Sequence, residues 1–560
     1  MADNIYYIEN YTDFGTHQIT DDGSGTDWII VRDYHVAQNG YWGAFINLFN
    51  VPPAYSVGGI NTFPGNIRTV QDLTVYGQIE NAMGGGGNEL IQGGSIANII
   101  VGDPDDVAGA ADALYGAQGD DTLYGGGGSD TIYGGDDNDL IFGDIDPNSQ
   151  SSGNISMGDD SLDGGQGNDT LYGGMGTNQL NGGTGYDTAD YSGFFDDFGN
   201  FSYRITANLE SGTVAVYARD LFDHTESIVA SDSLTGIDVI IGTAGDDWID
   251  GKISFTPDDF AGTTFYGGEG NDRLTGMLGA DVLYGGAGND YMSDYGTTLA
   301  APNAHSVMSG GTGNDYYNVM AANIDVVESQ DGGYDYVWSA ISYTLPAFVE
   351  HLYLSDIAVT RLDGTGNVLN NQLEGTHLAN LLSGLGGNDY LVGFAGNDTL
   401  NGGGGAATLV GGTEADKLFG GTEADSLEGG TGADILFGGS GNDRLLGGAQ
   451  SDKLTGGTGA DRMTGGTGVD YFIFAKGDAG TGPARDTITD FASTVDKIDL
   501  KSIMAGQVFI QAAGFHHIAG EVRYDAASGV LSGDTDGNGS ADYQIFLGLN
   551  HVLIGLDVLL

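Results

Sequence analysis

Residues 384–473 read GLGGNDYLV, GFAGNDTLN, GGGGAATLV, GGTEADKLF, GGTEADSLE, GGTGADILF, GGSGNDRLL, GGAQSDKLT, GGTGADRMT and GGTGVDYFI, consecutive nine-residue units with nothing left over. Two looser copies, GNVLNNQLE and GTHLANLLS, fill residues 366–383 before them. A fixed period of this kind defines a solenoid, in which each unit buries its apolar face only against its neighbours. The first six residues of a unit place glycine where a tight turn needs positive φ, and they end on an acid. The last three centre on one apolar residue, such as Leu418, Leu427, Leu436 or Leu445. In so short a strand the middle side chain points opposite to its neighbours, so the leucines face inward and their flanks face water. Each unit is turn plus minimal strand, which is half a coil.

Two units then complete a turn of the solenoid. Acids eighteen residues apart, Asp416, Asp434, Asp452 and Asp470, stack on one side, and Asp425, Asp443 and Asp461 on the other. The layer spacing is roughly 4.8 Å. Carboxylates at that distance repel by roughly 0.9 kcal/mol in bulk water and severalfold more at a lower effective dielectric, and the penalty recurs at every layer. Cations must therefore sit between the turns. Carboxylates and glycine-loop carbonyls are hard oxygen donors in a flexible ring, which suits Ca²⁺ better than the stricter octahedron of Mg²⁺ or the nitrogen and sulfur preference of zinc. The alternative, a disordered acidic linker rich in glycine, has no reason to hold leucine at a fixed phase.

GGTGADILF and its neighbours resemble the RTX, or hemolysin-type, calcium-binding nonapeptide. The resemblance implies one calcium between loops two units apart. The earlier loop gives the carbonyls of places two and four and its acid, and the later loop gives carbonyls one and three and its own acid. Carried onto this chain, it implies Gly430, Gly432 and Asp434 with Gly447, Ala449 and Asp452, and Gly439, Gly441 and Asp443 with Gly456, Thr458 and Asp461. Ala407 stands where the acid belongs, so the sites it shares with Asp389 and Asp425 are expected to be weak or empty. Glu414, Glu423 and Gln450 take a place that usually holds glycine, which implies strained loops or an extra carboxylate on the ion.

Acids outnumber bases 78 to 16 for a formal charge of −62, which argues against nucleic acid and anionic membranes as partners and for cations. No cysteine is present, so neither disulfides nor thiolate metal sites are possible. The start, MADNIYYIENYTDF, lacks the positive region and apolar core of an ordinary secretory signal. No apolar run approaches the length needed to cross a bilayer. The fold class expected is all-β, an elongated calcium-bound parallel β-roll in blocks joined by β connectors.

In chain order, residues 1–83 carry strand-like runs at DWIIV, AFINLF and LTVYGQIENA and are expected to cap the first coil. GQIENAMGGGGNELIQGGSIANIIVGD resembles the entry into the repeats of serralysin-type secreted metalloproteases, without a counterpart of the protease domain that precedes it there. Residues 84–191 form a first array, interrupted around residues 147–154, whose candidate ligands are Asp112, Asp121, Asp130, Asp139, Asp160, Asp169 and Asp187. Residues 192–241 alternate as strands and resemble the β segments joining RTX blocks. A second array, 242–318, offers Asp247, Asp272, Asp281, Asp290 and Asp315. A second connector, 319–365, leads to the main array, 366–473, which adds Asp389 and Asp398 to the acids already named. The tail, 474–560, resembles the serralysin C-terminal domain exported by type I secretion. It ends on Asp557, Val558, Leu559 and Leu560, an acid before apolar residues, as in those export signals.

Within the tail, Asp534, Asp536, Asn538 and Asp542 are spaced like the first part of an EF-hand loop, but Ile545 replaces the bidentate glutamate, leaving a further calcium or a polar hairpin turn as readings. None of the nine histidines forms HExxH, and the adjacent His516 and His517 point to opposite faces of a strand. No nucleophile elbow or P-loop is present. Counting acids does not exclude a glycosidase pair, but every acid that can be placed belongs to a repeat loop. The expectation is a non-enzymatic, secreted, calcium-dependent protein, structural or adhesive at the cell surface or in an extracellular matrix. Its partners are calcium, a type I transporter, and further copies of itself or a surface glycan. The alternatives are a hydrolase within residues 1–83 or the connectors, and a pore-forming toxin, for which the long apolar segments are missing.

Overall fold

The computed structural model describes the backbone of strands Ile5–Glu9, His17–Thr20, Trp28–Arg32, Phe45–Asn47 and Leu73–Tyr76, and residues 81–83, 90–102, 111–144, 158–194, 201–252, 262–295, 305–357, 360–549 and 551–560. They belong to two compact units, Met1–Gly311 and Thr312–Leu560. Among the described residues regular structure is strand throughout except for one 3-10 turn at Gly482–Ala484, and no helix is long and apolar enough to cross a membrane.

In the second unit successive strands alternate between two parallel sheets. Ser426–Thr431 pairs with Thr408–Thr413 and with Arg444–Ala449, while Ile435–Ser440 pairs with Lys417–Gly421 and Lys453–Thr458 in the other sheet. Leu427 lies beside Leu445 and Leu418 beside Leu436, so one layer advances the chain by two nonapeptides. This is the parallel β-roll expected from the period. Leu409, Leu418, Leu427, Leu436, Leu445, Leu454, Met463 and Phe472 are each at most 1% exposed and form the core. Burying one such side chain contributes roughly 1.5–3 kcal/mol, whereas ordering the backbone costs about 1–2 kcal/mol for each residue of the unit. A core this sparse leaves much of the stability to the backbone ladder and to whatever neutralises the turns.

The turns require glycine where layers touch. Gly430 has φ +106° and a Cβ there would stand 2.2 Å from the carbonyl oxygen of Gly412 one layer back. Such contact allows no side chain.

The segment expected to connect the second and third arrays is itself layered into the roll. Tyr336–Ser339 pairs in parallel with Tyr316–Val319 and with His351–Leu354, which pairs with Gln372–Glu374, and Tyr343–Thr344 pairs with Asp363–Thr365 in the opposite sheet. Val337 and Leu352 are buried like the repeat leucines. Beyond the array, Lys497–Ser502 pairs with Tyr471–Ala475 and with the terminal Val558–Leu559. Asp486–Ile488 pairs with Arg462–Thr467 and with Tyr543–Phe546, which ends an antiparallel meander through Val530–Asp534 and Glu521–Asp525. Parallel growth stops on that meander.

The first unit repeats the alternation. Thr122–Tyr124 lies between Ile99–Val101 and Leu140–Phe142, and Thr131–Asp136 between Ala113–Gln118 and Ser161–Gln166. Its connector is built differently from the other. Phe201–Asn208, Thr213–Asp220 and Glu226–Thr235 form an antiparallel meander, yet the last pairs in parallel with Gln179–Thr184 and the first with Trp248–Lys252. The excursion is spliced between two layers of one sheet, while Thr188–Asp190 and Val239–Ile241 continue the other. At the N-terminal side, Trp28–Arg32 pairs in parallel with Ile5–Glu9 and Asn81–Met83, and Phe45–Asn47 with Leu90–Gln92, so these strands extend both sheets. His17–Thr20 pairs in parallel with Leu73–Tyr76, and the rest of the expected cap and the interruption at 147–154 lie outside the described residues.

Candidate metal centre

Each nonapeptide acid sits at the end of the turn, immediately before the strand, where the backbone of the layer below reaches it. Asp434 Oδ1 accepts the Asp416 N–H at 2.8 Å, Asp452 that of Asp434 at 2.9 Å, and Asp470 that of Asp452 at 3.0 Å. On the other side Asp443 accepts from Asp425 and Asp461 from Asp443, both at 2.9 Å. The two expected stacks are therefore present as hydrogen-bonded ladders. The ladder continues downward through Asp398 and Asp389, which accept from Asn380 and Asn371. In the first unit Asp130 accepts from Asp112, Asp139 from Asp121, Asp160 from Asp130, Asp169 from Asp139 and Asp187 from Asp169. Asp272 accepts from Asp247 and Asp290 from Asp272, whereas Asp281 accepts from Thr263 and donates to the Ser306 hydroxyl. Asp315 donates to Asp335. All the named aspartates are at most 3% exposed.

One oxygen of each carboxylate is thus accounted for, and the other carries the chemistry. Oδ2 of Asp416, Asp425, Asp434, Asp443, Asp452 and Asp461 is buried without a hydrogen-bond partner, as is that of Asp121, Asp139, Asp160, Asp169, Asp187, Asp272, Asp389 and Asp398. For Asp434 it lies 2.5 Å from the point where a Cβ on Gly429 would stand, and the Gly447 carbonyl oxygen lies 2.6 Å from that point. For Asp443 the corresponding distances, measured over Gly438 to Asp443 Oδ2 and to the Gly456 carbonyl, are 2.3 and 2.5 Å. The Gly430 carbonyl faces Gly448, and those of Gly439 and Gly441 face Gly457 and Gly459 in the next layer. Acceptor converges on acceptor, an arrangement that only a cation or a proton relieves. Burial, followed by the neighbouring carboxylates, pushes Asp416 up to about 8 and Asp452 and Asp461 to about 7. An all-oxygen set of carboxylates and turn carbonyls fits calcium. Ala449 and Thr458 also accept from Gly432 and Gly441, at 3.1 and 2.9 Å, which leaves each carbonyl a second lone pair.

The departures have distinct consequences. Ala407 keeps the rung, donating its N–H to Asp425 Oδ1 at 2.8 Å, but its methyl replaces the carboxylate over Gly402. Glu414, Glu423 and Gln450 adopt φ of 72°, 64° and 80°, so these turns do hold L-residues in the left-handed region. The carboxylates of the two glutamates hold the layer below: Glu414 Oε2 accepts from Gly396 at 3.0 Å and Glu423 Oε2 from Gly405 at 2.8 Å. Asp247 differs from the other rungs, because Ile205 and Thr243 N–H groups satisfy both of its oxygens.

Asparagine occupies the first two rungs of the main array. Asn380 Oδ1 accepts from Thr376 at 2.7 Å and its amide donates to the Leu362 carbonyl at 2.6 Å. Asn371 accepts from Asn367 and donates to Val349. Where an aspartate would set oxygen against oxygen, the amide supplies its own donor.

Acid rungs also occur outside the nonapeptide pattern, as at Asp335, Glu350, Asp486 and Asp496. Asp335 is followed by Glu350, whose Oε2 accepts the Asp335 N–H at 2.9 Å, and above the array Asp486 accepts from Asp461 and Asp496 from Asp470. Each acid stands two residues before a core residue, as in Asp335-Tyr336-Val337, Glu350-His351-Leu352, Asp486-Thr487-Ile488 and Asp496-Lys497-Ile498. That tripeptide was the available signal. In the tail, oxygens of Asp534, Asp536 and Asp542 lie within 4.8 Å of one another, and Asp534 accepts from Gly537 and Gly539 and Asp542 from Thr535 across a polar turn, an arrangement common to both readings. His516 and His517 meet different partners, Glu521 and the Asn538 carbonyl. Asp557 is fully buried, accepting from Thr494 and Ile554, and Val558–Leu559 forms the last strand on the roll.

These ladders define a calcium-binding repeat protein, and comparison with known proteins agrees. Residues 109–148, 156–189, 233–252 and 263–293 match four copies of the RTX calcium-binding nonapeptide repeat, and residues 373–550 match the Peptidase M10 serralysin C terminal family. The chain carries both RTX calcium-binding repeats and a serralysin C-terminal domain, whose match reaches back from the tail through the main array. No curated protein sequence matches the chain. Among solved structures it is similar to the AlgE6R3 subunit from the Azotobacter vinelandii mannuronan C5-epimerase, with 26% identity over 26% of this chain and 79% of that one and a TM-score of 0.14.

Proposed function

We propose that this is a secreted protein that folds when several calcium ions fill the turns, and that works as a structural or adhesive element at the cell surface or in an extracellular matrix. The observation that carries the reading is the row of buried Oδ2 atoms without hydrogen-bond partners, repeated from Asp416 to Asp461 beside turn carbonyls. Bound ions would be held by the acids and carbonyls of successive turns, including Gly430, Gly432, Asp434, Gly447, Ala449 and Asp452, and would neutralise charge that otherwise opposes folding. The serralysin C-terminal match supports export by a type I transporter, which handles unfolded chains. The acids that can be placed serve ladders and turns, which supports a non-catalytic role. Circular dichroism tests the proposal: in EGTA the full chain should be largely unfolded and should gain β signal on adding Ca²⁺, whereas an equally structured metal-free chain overturns it. Calcium-dependent light scattering then distinguishes a self-assembling protein from one that remains monomeric.

A further inference from the structure

A cluster in the second unit lies outside the nonapeptide scheme. Tyr316–Val319 and Tyr336–Ser339 are adjacent layers, and the rungs before them, Asp315 and Asp335, are both 0% exposed. Asp335 Oδ1 accepts the Asp315 N–H at 2.8 Å, while its Oδ2 is buried with no hydrogen-bond partner. Glu328, just past the strand Ile324–Val327, brings a third carboxylate, and oxygens of the three acids lie within 4.8 Å of one another. Glu328 is held in place: the Tyr317 hydroxyl donates to Oε1 and the Ser329 N–H donates to Oε2 at 3.0 Å. On the same turn the Gly313 carbonyl oxygen stands 1.8 Å from where a Cβ on Gly333 would be.

We propose that Asp315, Glu328 and Asp335 form a further calcium site, built jointly by the last unit of the second array and by the segment that carries no nonapeptide. The inference deepens the calcium reading above and differs from it in composition. A nonapeptide site has two acids and this one has three, in addition to turn carbonyls, and a higher ligand charge favours binding at lower free calcium. The site also lies where the period breaks. The layers at 315 and 335 are twenty residues apart instead of eighteen, and the longer loop is what carries Glu328 back to the rung. Calcium held there would fix the first layer without a nonapeptide against the last nonapeptide unit of the second array.

Anomalous diffraction from crystals of the full chain grown with terbium in place of calcium tests the site directly. A peak within coordination distance of all three carboxylates is expected. Peaks at the nonapeptide turns with none at this cluster would overturn the site and leave the repeat assignment standing, and no peaks anywhere would overturn both. In solution, E328Q should lower the number of calcium ions bound per chain by one, with the loss most evident at low free calcium. E428Q, at an exposed acid on the strand Ser426–Thr431, should leave the count unchanged. A folded E328Q chain with an undiminished count would overturn the proposal. If that variant does not fold, the terbium map decides.

Discussion

Replacing Asp434 by alanine and, separately, Asp389 by alanine separates the ion from the rest of the rung. Each substitution removes a carboxylate that accepts one buried backbone N–H from the layer below, Asp416 in one case and Asn371 in the other, both at 2.8 Å. The orphaned donor costs about 1–3 kcal/mol either way, so this term cancels in the comparison. What differs is the neighbourhood. Asp434 stands between Asp416 and Asp452 and contributes to two complete pairs of acids, whereas Asp389 stands between Asn371 and Ala407 and completes none. Extracellular calcium modules bind with Kd of about 10⁻⁴ to 10⁻³ M. At 10 mM calcium one such site stabilises the fold by about 1.4–2.7 kcal/mol, so losing two should separate the variants by about 3–5 kcal/mol. Urea denaturation of the full chain at 10 mM Ca²⁺, followed by circular dichroism, should give a lower midpoint for D434A than for D389A, and calcium titrations should rank them the same way. Equal midpoints in both experiments would refute the assignment of paired acids to shared ions.

The complementary change, A407D, places a carboxylate over Gly402 between Asp389 and Asp425 and should lower the calcium concentration for half-folding; an unchanged midpoint would mean that the missing acid is not what limits those turns. Without metal, burial raises Asp416 to about 8 and Asp452 and Asp461 to about 7 from an unfolded value of 3.8, so the fold takes up protons. That contribution is present below pH 4 and lost as pH rises through 7 to 8, and spectra in EGTA should gain β signal on lowering pH from 8 to 4, which a pH-independent spectrum would contradict. In a host with a matching type I transporter, a passenger fused ahead of residues 474–560 should reach the medium, while a chain ending at Ile473 should stay inside; export of the truncated chain would remove the tail as the address.

The period of the main array was legible because two demands coincide in it. A core side chain must recur every half coil, and an acid must recur at the end of every turn, so Leu436 and Asp434 each predict the other. The connector layers keep an acid before the core residue at Asp335 and Glu350 but not the fixed turn length. Tyr336 lies beside His351 and His351 beside Gln372, at unequal intervals along the chain, because parallel pairing needs only a short strand with an apolar centre such as Val337 or Leu352. Turn length is free where the turn is not built from the nonapeptide, and with it goes the fixed period. The spliced meander from Phe201 to Thr235 was legible as strands but not as an insertion into the sheet, since alternation in Val214, Val216 and Ala218 reports a buried face without naming the neighbour that buries it. Asp247 shows the limit for individual ligands. Its place in GTAGDDWID matches the other rungs, yet Thr243 at the second place of the unit turns an N–H toward it, a contact that no spacing rule encodes.

The asparagines at 371 and 380 give the main array two unlike ends. A rung closed by an ion obeys mass action, and its contribution falls as the surrounding calcium is diluted. A rung closed by an amide has its donor attached through the chain, so its hydrogen bonds to Leu362 and Val349 have no dissociation constant and do not weaken with dilution. As calcium is withdrawn, the layers from Asp398 to Asp470 lose their support while those at Asn371 and Asn380 keep theirs. The array is anchored at one edge and conditional over the rest of its length, so the extent of ordered roll becomes a readout of the medium rather than a property of the polypeptide alone.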